Sequence, residues 1–265
     1  MKKEYNFSHL SEVDIKHNFL LDWQDSKNKV FVFKNNGIEV DSSNALSNFY
    51  ESFFSKIGRF LNLAEDALLT SYREHQRTGQ VWMEIRNDDS VKNAYRHSTN
   101  AQPLHTDGSY IPGFAQSILA CLSNVGVGGE TIFIDPSDLI KDLEVANPEF
   151  LSALFEHDVL HERSGDARTE KILYWVDNIL KTNFNFYCVS PKNSKEVIEL
   201  SNKFLNYLIA IEKKENPNVL PMPVKLSPGD AVIWKDDEVL HGRHAFTATK
   251  NSERSILKCA FKLHD

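Results

Sequence analysis

The feature that most constrains the fold of this chain is a succession of short strand-like segments that recurs along most of its length. Each is a run rich in β-branched and aromatic residues that ends at turn residues, which is typical of strands. The last of them alternates two sets of side chains with period two, as a half-buried strand does. We predict strands at Val30–Phe33, Val81–Ile85, Leu104–Tyr110, Gln116–Leu122, Glu130–Ile134, Val159–Arg163, Ile172–Val176, Asn185–Val189, Val224–Leu226, Asp230–Trp234 and Arg254–Leu263.

Fewer segments carry helix signals. Apolar residues at helical spacing predict a helix over Asn44–Phe60, with Asp41 or Ser42 as its N-cap after a turn at Asn35–Gly37. A proline directly after a capping residue favours a helix start. Further helices are therefore predicted from Asp135-Pro136 and from Asn147-Pro148, and the longest helical pattern covers Asn193–Lys213.

The order of these segments indicates the fold class. Many short strands with a few inserted helices predict a mainly β fold with flanking helices (α+β), a barrel or jelly roll that carries its helices on one side. The glycine-rich turn Gly126–Gly129 lies between two predicted strands, Gln116–Leu122 and Glu130–Ile134, which we expect to form a hairpin. Since no shift in composition marks a linker, we expect a single domain over residues 1–265.

Charge and cysteine usage exclude several classes of protein. The chain has 30 Lys and Arg against 37 Asp and Glu, a net charge of −7, which disfavours nucleic acid as a partner. Its three cysteines, Cys121, Cys188 and Cys259, are widely spaced, so neither a disulfide framework nor a Cys-x-x-Cys metal site is expected. No signal peptide and no long apolar run are evident. We therefore expect a cytoplasmic protein without a membrane partner, and the sequence favours no particular oligomeric state.

A metal site is suggested by His105-x-Asp107. Residues i and i+2 of a strand point to the same side, so the two side chains are placed to bind one metal. A third ligand must come from elsewhere, and His241 is the candidate. Two imidazoles and one carboxylate on one face of an octahedron form the triad of non-haem Fe(II) oxygenases. Because a His-x-Asp tripeptide occurs roughly once by chance in such a chain, a surface histidine beside an aspartate is the alternative.

The context of the tripeptide decides between these interpretations. LHTDGSY, LACLSNVGVGGETIFID, PGDAVIWKDDEVLHGRHAF and then Arg254 follow one another in the order found in the taurine dioxygenase/clavaminate synthase-like family of Fe(II)/2-oxoglutarate oxygenases, which the chain resembles over roughly residues 80–265. The resemblance implies a double-stranded β-helix core. It also implies that His105, Asp107 and His241 bind Fe(II), and that 2-oxoglutarate and O₂ are consumed with release of succinate and CO₂.

Two further residues resemble the family's cosubstrate site. A carboxylate of 2-oxoglutarate needs a permanently charged, two-pronged partner, which is arginine. Arg254 resembles that arginine, and Thr131 resembles the threonine that donates a hydroxyl to the same carboxylate. The alternatives are a surface arginine and an ordinary strand threonine. Arg243 is expected to hold a loop in place. Trp234 and Phe246 either form an apolar wall around the iron or simply pack in the core.

The substrate is less constrained. Basic residues crowd the segments before the metal motif, which suggests a small anionic or zwitterionic, amino-acid-like molecule; they are Arg73, His75, Arg77, Arg86, Arg96 and His97. Asn100 and Tyr110 flank the metal motif and are the predicted substrate contacts. The charged segment 164–171 is either a lid or a solvated loop.

We expect the reaction to be hydroxylation of an unactivated C–H bond. Desaturation or cyclisation in natural-product biosynthesis uses the same cofactors and is the alternative. Halogenases related to this family carry a small residue in place of the carboxylate, so Asp107 argues against halogenation. A silent barrel that binds a small molecule would not need the intact set of site residues, and a Zn or Mn cupin would not need Thr131 and Arg254.

Overall fold

The computed structural model describes residues 1–34, 43–62, 78–87, 95–113, 116–124, 126–247 and 254–264. The predicted turn at residues 35–37 and both N-cap candidates, Asp41 and Ser42, lie outside these ranges. The strands in chain order are β1 (Lys2–Asn6), β2 (Val30–Lys34), β3 (Gly58–Leu61), β4 (Met83–Arg86), β5 (Gln102–His105), β6 (Gln116–Asn124), β7 (Val127–Gly128), β8 (Thr131–Ile134), β9 (Asp158–Arg163), β10 (Asp166–Lys171), β11 (Leu173–Val176), β12 (Ile179–Thr182), β13 (Met222–Val224), β14 (Ala231–Lys235), β15 (Leu240–Arg243), β16 (Phe246–Thr247) and β17 (Arg254–Leu263).

The helices begin at capping residues where their starts are described. They are α1 (Glu12–Gln24), α2 (Ser43–Phe54), α3 (Pro136–Ala146), α4 (Pro148–Glu156) and α5 (Lys195–Glu212). The side chains of Asp135 and Asn147 accept backbone N–H groups at the starts of α3 and α4, so both predicted proline-led helix starts are confirmed. Within the described ranges, no helix is long and apolar enough to cross a membrane.

Two main sheets pack face to face. The larger has the order β1-β2-β14-β6-β17-β3, with β4 also paired to β17, and the smaller has the order β13-β8-β15-β5. Val32, Leu119 and Trp234 of the larger sheet meet Phe133 and Val224 of the smaller one in a shared apolar cluster. This arrangement of mainly antiparallel strands in two layers confirms the predicted mainly β core.

The helices cover the outer faces of both sheets, so the prediction that they lie on one side is wrong. Because side chains alternate along a strand, Phe31 and Phe33 point away from the other sheet and pack against Phe19 of α1 and Phe53 of α2. On the opposite side, α3, α4 and α5 pack on the smaller sheet in a cluster that includes Leu240 of β15. β15, which carries the candidate ligand His241, is therefore packed on both of its faces.

Several local predictions are wrong. The hairpin between Gln116–Leu122 and Glu130–Ile134 does not form, because β6 belongs to the larger sheet and β8 to the smaller. Between them β7 pairs with β16, and Gly128 and Gly129 adopt positive φ angles of 87° and 72°, which turn the chain from one sheet to the other.

Three other predicted elements differ in extent or type. The helix predicted for Asn44–Phe60 ends at Phe54, and β3 follows because residues 58–61 pair with β17. The strand predicted at Asn185–Val189 is a short 3₁₀ turn over Phe186–Cys188, since the Asn185 side chain accepts the N–H of Tyr187. The strand predicted for Leu104–Tyr110 is confined to β5, which ends at His105.

Candidate metal centre

The three predicted ligands lie together at one end of the smaller sheet. His105 ends β5 and pairs across the strands with His241 of β15. Asp107 follows in the turn after β5, so it does not share a strand with His105 as the i, i+2 argument assumed. One ligand atom from each of the three residues lies within 4.8 Å of the other two. The 136 residues that separate the histidines in the sequence are thus bridged by strand pairing.

Both imidazoles turn their Nε2 atoms toward the carboxylate. His105 Nδ1 lies 2.8 Å from the carbonyl oxygen of Pro103 and is placed to donate to it. His105 Nε2 is then 3.5 Å from Asp107 Oδ1, and His241 Nε2 is 3.4 Å from Asp107 Oδ2. Burial lowers the pKa of His241 well below its usual value, so this ring is neutral at pH 7, as a metal ligand must be.

Asp107 is held by residues from the larger sheet. Ser117 Oγ of β6 donates to Asp107 Oδ2 at 2.7 Å, and Lys258 Nζ of β17 donates to Oδ1. Burial alone would raise the pKa of Asp107, but Lys258, together with His241 and His105, holds that pKa well below its usual range. The carboxylate is therefore ionised at neutral pH and available to a cation.

A second buried carboxylate supports the turn that carries Asp107. Asp236 accepts hydrogen bonds from the backbone N–H groups of Asp107 (3.0 Å) and Gly108 (2.8 Å). Burial and the neighbouring charge of Asp107 raise the pKa of Asp236 to about 7. Asp236 was not among the residues predicted from the sequence.

Thr106, between two of the candidate ligands, is fixed from the other side. Its backbone N–H donates to the carbonyl of Phe184 at 2.7 Å, and its hydroxyl accepts the N–H of the same residue at 3.1 Å. The Asn185 side chain donates to the Thr106 carbonyl at 3.2 Å. The metal motif is thus anchored through its backbone as well as through its side chains.

The residues predicted to bind 2-oxoglutarate lie near the same end of the sheets. Arg254 begins β17 and is buried, with Nε 3.4 Å from the Gly129 carbonyl oxygen. Burial lowers its pKa to about 10, so it stays charged at pH 7, and among the described residues no carboxylate pairs with it. Thr131 is buried at the start of β8, two residues after Gly129. A Cβ on Gly129 would lie 3.2 Å from Arg254 Nε, so the glycine permits this close approach.

Arg243 and Phe246 frame this corner. The guanidinium carbons of Arg243 and Arg254 lie 5.1 and 5.7 Å from the centroid of the Phe246 ring. Arg243 also donates to the carbonyl oxygens of Ser98 (2.7 Å) and Asn100 (2.6 Å), which matches the expected bracing of a loop. Trp234 packs on His241 with ring centroids 4.6 Å apart, so it both belongs to the core and covers one face of a candidate ligand.

The two residues predicted to contact the substrate, Asn100 and Tyr110, differ in exposure. Asn100 is exposed, and Tyr110 is buried three residues after Asp107. Arg73, His75 and Arg77 lie outside the described residues. His97 is buried with Nδ1 3.0 Å from the Arg86 carbonyl oxygen, so it does not form part of an open basic surface.

Most of the segment 164–171 is a strand and not a loop. Residues 166–171 form β10, which pairs antiparallel with β9, and Arg168 donates to the Tyr174 hydroxyl at 2.9 Å.

Lys258 and Ser117, which donate hydrogen bonds to Asp107, were not predicted from the sequence. The period-two pattern of β17 does place Lys258 on the same side as Arg254, four residues earlier, and this signal was available in the sequence.

Comparisons with known proteins agree with this geometry. Residues 26–260 match the family model described as "Taurine catabolism dioxygenase TauD, TfdA family". A uridine-5'-phosphate dioxygenase from Streptomyces sp. is 25% identical over 173 residues, which are 61% of this chain and 62% of the relative's own length.

Two solved structures share the fold. Asparagine oxygenase, in complex with Fe(II), 2S,3S-3-hydroxyasparagine and succinate, has a TM-score of 0.66 at 12% identity and covers 95% of this chain and 79% of its own. The non-heme iron oxygenase OrfP, in complex with Fe and alpha-ketoglutaric acid, has a TM-score of 0.64 at 15% identity, with the same two coverages. These similarities confirm the double-stranded β-helix expected from the sequence.

Proposed function

The chain belongs to the TauD/TfdA family of dioxygenases, and from this premise we propose that it is an Fe(II)- and 2-oxoglutarate-dependent dioxygenase that hydroxylates an unactivated C–H bond of a small anionic or zwitterionic, amino-acid-like substrate. The observation that carries the proposal is the convergence of His105, Asp107 and His241 on one point, within 4.8 Å of one another, in a buried setting.

The donor set fits Fe(II). Two imidazoles and a carboxylate suit a divalent first-row metal and leave three octahedral positions for other ligands. Iron and 2-oxoglutarate, when bound, supply the oxidising chemistry, in which O₂ and 2-oxoglutarate are converted to succinate and CO₂ as one oxygen atom enters the substrate. The chain itself contributes the ligand geometry and the surrounding apolar walls, Trp234 and Phe133 among them.

The cosubstrate site follows from Arg254. A buried guanidinium without a carboxylate partner among the described residues is costly unless an anion is bound there. The distal carboxylate of 2-oxoglutarate is such an anion, and it fits the two-pronged geometry of arginine. In this proposal the Thr131 hydroxyl donates to the same carboxylate.

The charge class of the substrate is supported by Lys258. Its ammonium lies at the metal site, because Nζ donates to Asp107. A dication on Asp107 would repel this ammonium, which then requires another anion nearby. A carboxylate or phosphate of the substrate meets that requirement. Among the similar proteins, one is an asparagine oxygenase and another a uridine-5'-phosphate dioxygenase, so amino acids and nucleoside monophosphates are the first substrates to test.

The test has two parts. Anaerobic addition of Fe(II) and 2-oxoglutarate should give a weak visible charge-transfer band, and succinate release should then identify a substrate in a panel of amino acids, nucleoside monophosphates and small acids. Product mass distinguishes hydroxylation from desaturation or cyclisation. The matched control is His241→Ala, which should show neither the band nor turnover. A wild-type protein that binds neither Fe(II) nor 2-oxoglutarate would contradict the proposal and favour a silent barrel.

A further inference from the structure

The carboxylate of Asp236 lies beside two of the three candidate ligands, Asp107 and His241. It belongs to the turn between β14 and β15, five residues before His241, and its side chain is 2% exposed. The turn after β5, which carries Asp107, packs directly against it. Asp236 therefore connects its own turn to the turn that carries Asp107, 129 positions earlier in the sequence.

Three N–H groups converge on this carboxylate. Oδ1 accepts the backbone N–H of Asp107 and the indole N–H of Trp234, each at 3.0 Å, and Oδ2 accepts the backbone N–H of Gly108 at 2.8 Å. All three partners are donors, so an acceptor-only carboxylate satisfies them, whereas an amide would direct its own N–H groups toward at least one of them. These contacts fix the backbone from which the Asp107 side chain projects.

The same carboxylate faces His241. Nδ1 of this ring is 3.6 Å from Asp236 Oδ1, and in the described part of the chain it is buried without a hydrogen-bond partner. Trp234 and Phe133 pack around the ring, so its plane is constrained. A histidine that binds a metal through Nε2 typically donates its Nδ1–H to a carboxylate, carbonyl or water, which fixes the tautomer and the direction of the lone pair. Asp236 is the acceptor in place for this donation.

From this convergence we propose that Asp236 is a positioning residue of the metal centre: it holds the Asp107 turn and accepts Nδ1–H from His241, and so sets the geometry and affinity with which both bind the metal. The inference rests on the proposed function, in which these residues bind Fe(II). Asp236 does not touch the metal, and it acts only through the two ligands.

The experiment measures Co(II) binding, which needs no turnover and no 2-oxoglutarate. Wild-type protein, Asp236→Asn and Asp236→Ala are titrated with Co(II), and the ligand-field absorption of each complex is recorded together with circular dichroism of the apo-protein. The matched control is Asp237→Asn, one residue along the same turn, since Asp237 pairs with Lys181 at 3.2 Å on the outer side. The expected result is a loss of affinity of about 10- to 100-fold for both Asp236 variants, with an altered ligand-field band, and wild-type behaviour for the control.

The outcomes separate this inference from the proposed function. Wild-type Co(II) affinity and an unchanged band in a folded Asp236→Asn protein would overturn the positioning role while the proposed function stands. If Asp236→Ala does not fold, Asp236→Asn, which keeps the shape of the side chain, decides the question. Failure of the wild-type protein to bind Co(II), Mn(II) or Fe(II) would overturn the proposed function itself. Loss of affinity in Asp237→Asn equal to that in Asp236→Asn would show a general effect of the turn and overturn the specific role.

Discussion

Lys258 Nζ donates a hydrogen bond to Asp107 Oδ1, the same oxygen that lies 3.5 Å from His105 Nε2. The ammonium therefore occupies the approach to an oxygen that a metal would use. Two cations cannot share that oxygen at close range without strong repulsion. Lys258 and a metal ion would therefore compete for the negative charge of this carboxylate.

The first prediction follows from this competition. Lys258→Met keeps the length of the side chain and removes its charge, so Asp107 loses a competing partner. We expect Fe(II) or Co(II) to bind at least as tightly as in the wild type, while the KM for an anionic substrate rises by about tenfold or more, since a charged contact is lost. Lys262→Met, on the same strand, is the matched control. If Lys258→Met binds the metal more weakly and its KM for the substrate is unchanged, Lys258 does not compete with the metal for Asp107.

The second prediction concerns the triad. Replacing His105, Asp107 or His241 by Ala leaves two protein ligands, which compete poorly with water and buffer for Fe(II). We expect each variant to lose measurable metal binding and turnover, as followed by calorimetric titration and succinate release. His157→Ala, on the surface at the end of α4, serves as the control. Retention of wild-type iron affinity by His241→Ala would disprove its assignment as a ligand.

The third prediction separates cosubstrate binding from metal binding. Arg254→Ala removes a buried partner of a carboxylate, which typically costs about 2–5 kcal/mol, or about 30- to 5000-fold in affinity for 2-oxoglutarate. Thr131→Val should cost less, about 1–3 kcal/mol for one buried hydrogen bond. Iron affinity should stay nearly unchanged in both, and the exposed Arg59→Ala should change neither. Equal 2-oxoglutarate affinity in Arg254→Ala would exclude this pocket.

The fourth prediction concerns acid stability and the support behind the metal motif. His161 is fully buried beside Phe184, and burial lowers its pKa to about 4. The unfolded chain, with the ordinary pKa near 6.5, binds this proton first as the pH falls. The contribution of neutral, buried His161 to the free energy of unfolding is therefore complete above pH 6.5 and is lost progressively between about pH 6.5 and pH 4. Unfolding free energies from urea titrations should fall over that window in the wild type, and less steeply in His161→Gln. Equal slopes in the two proteins would contradict the prediction.

What could be predicted from the sequence was largely local. The strands β2, β14 and β17 follow from runs and alternation within a few residues, so their positions were predicted nearly correctly. The hairpin after β6 was not, because whether Gly128 and Gly129 close a hairpin or carry the chain to another sheet depends on β16, more than 100 residues later. Local sequence patterns do not determine which distant strands pair with each other.

The same limit applies to the candidate site. The triad was predicted because its motifs occur in a family order, and the register that joins His241 to His105 explains why that order matters. Asp236 was missed because it stands beside Asp237 in an acidic run. Only the folded chain distinguishes them, since the Asp236 side chain is 2% exposed and that of Asp237 31%.

The last prediction concerns what the site excludes. A metal held in an octahedral centre by the three protein ligands would have three further positions, and 2-oxoglutarate and O₂ together would need all of them. The Asp107 carboxylate is held in place by Ser117 Oγ and, through its backbone, by Asp236. Chloride therefore has no position at the metal. We expect no chlorinated product and an unchanged product distribution when chloride replaces sulfate at fixed ionic strength, as measured by mass spectrometry of the turnover mixture. A halogenated product from the wild-type enzyme would show that Asp107 leaves the metal during turnover, against both the ligand assignment and the support proposed for it.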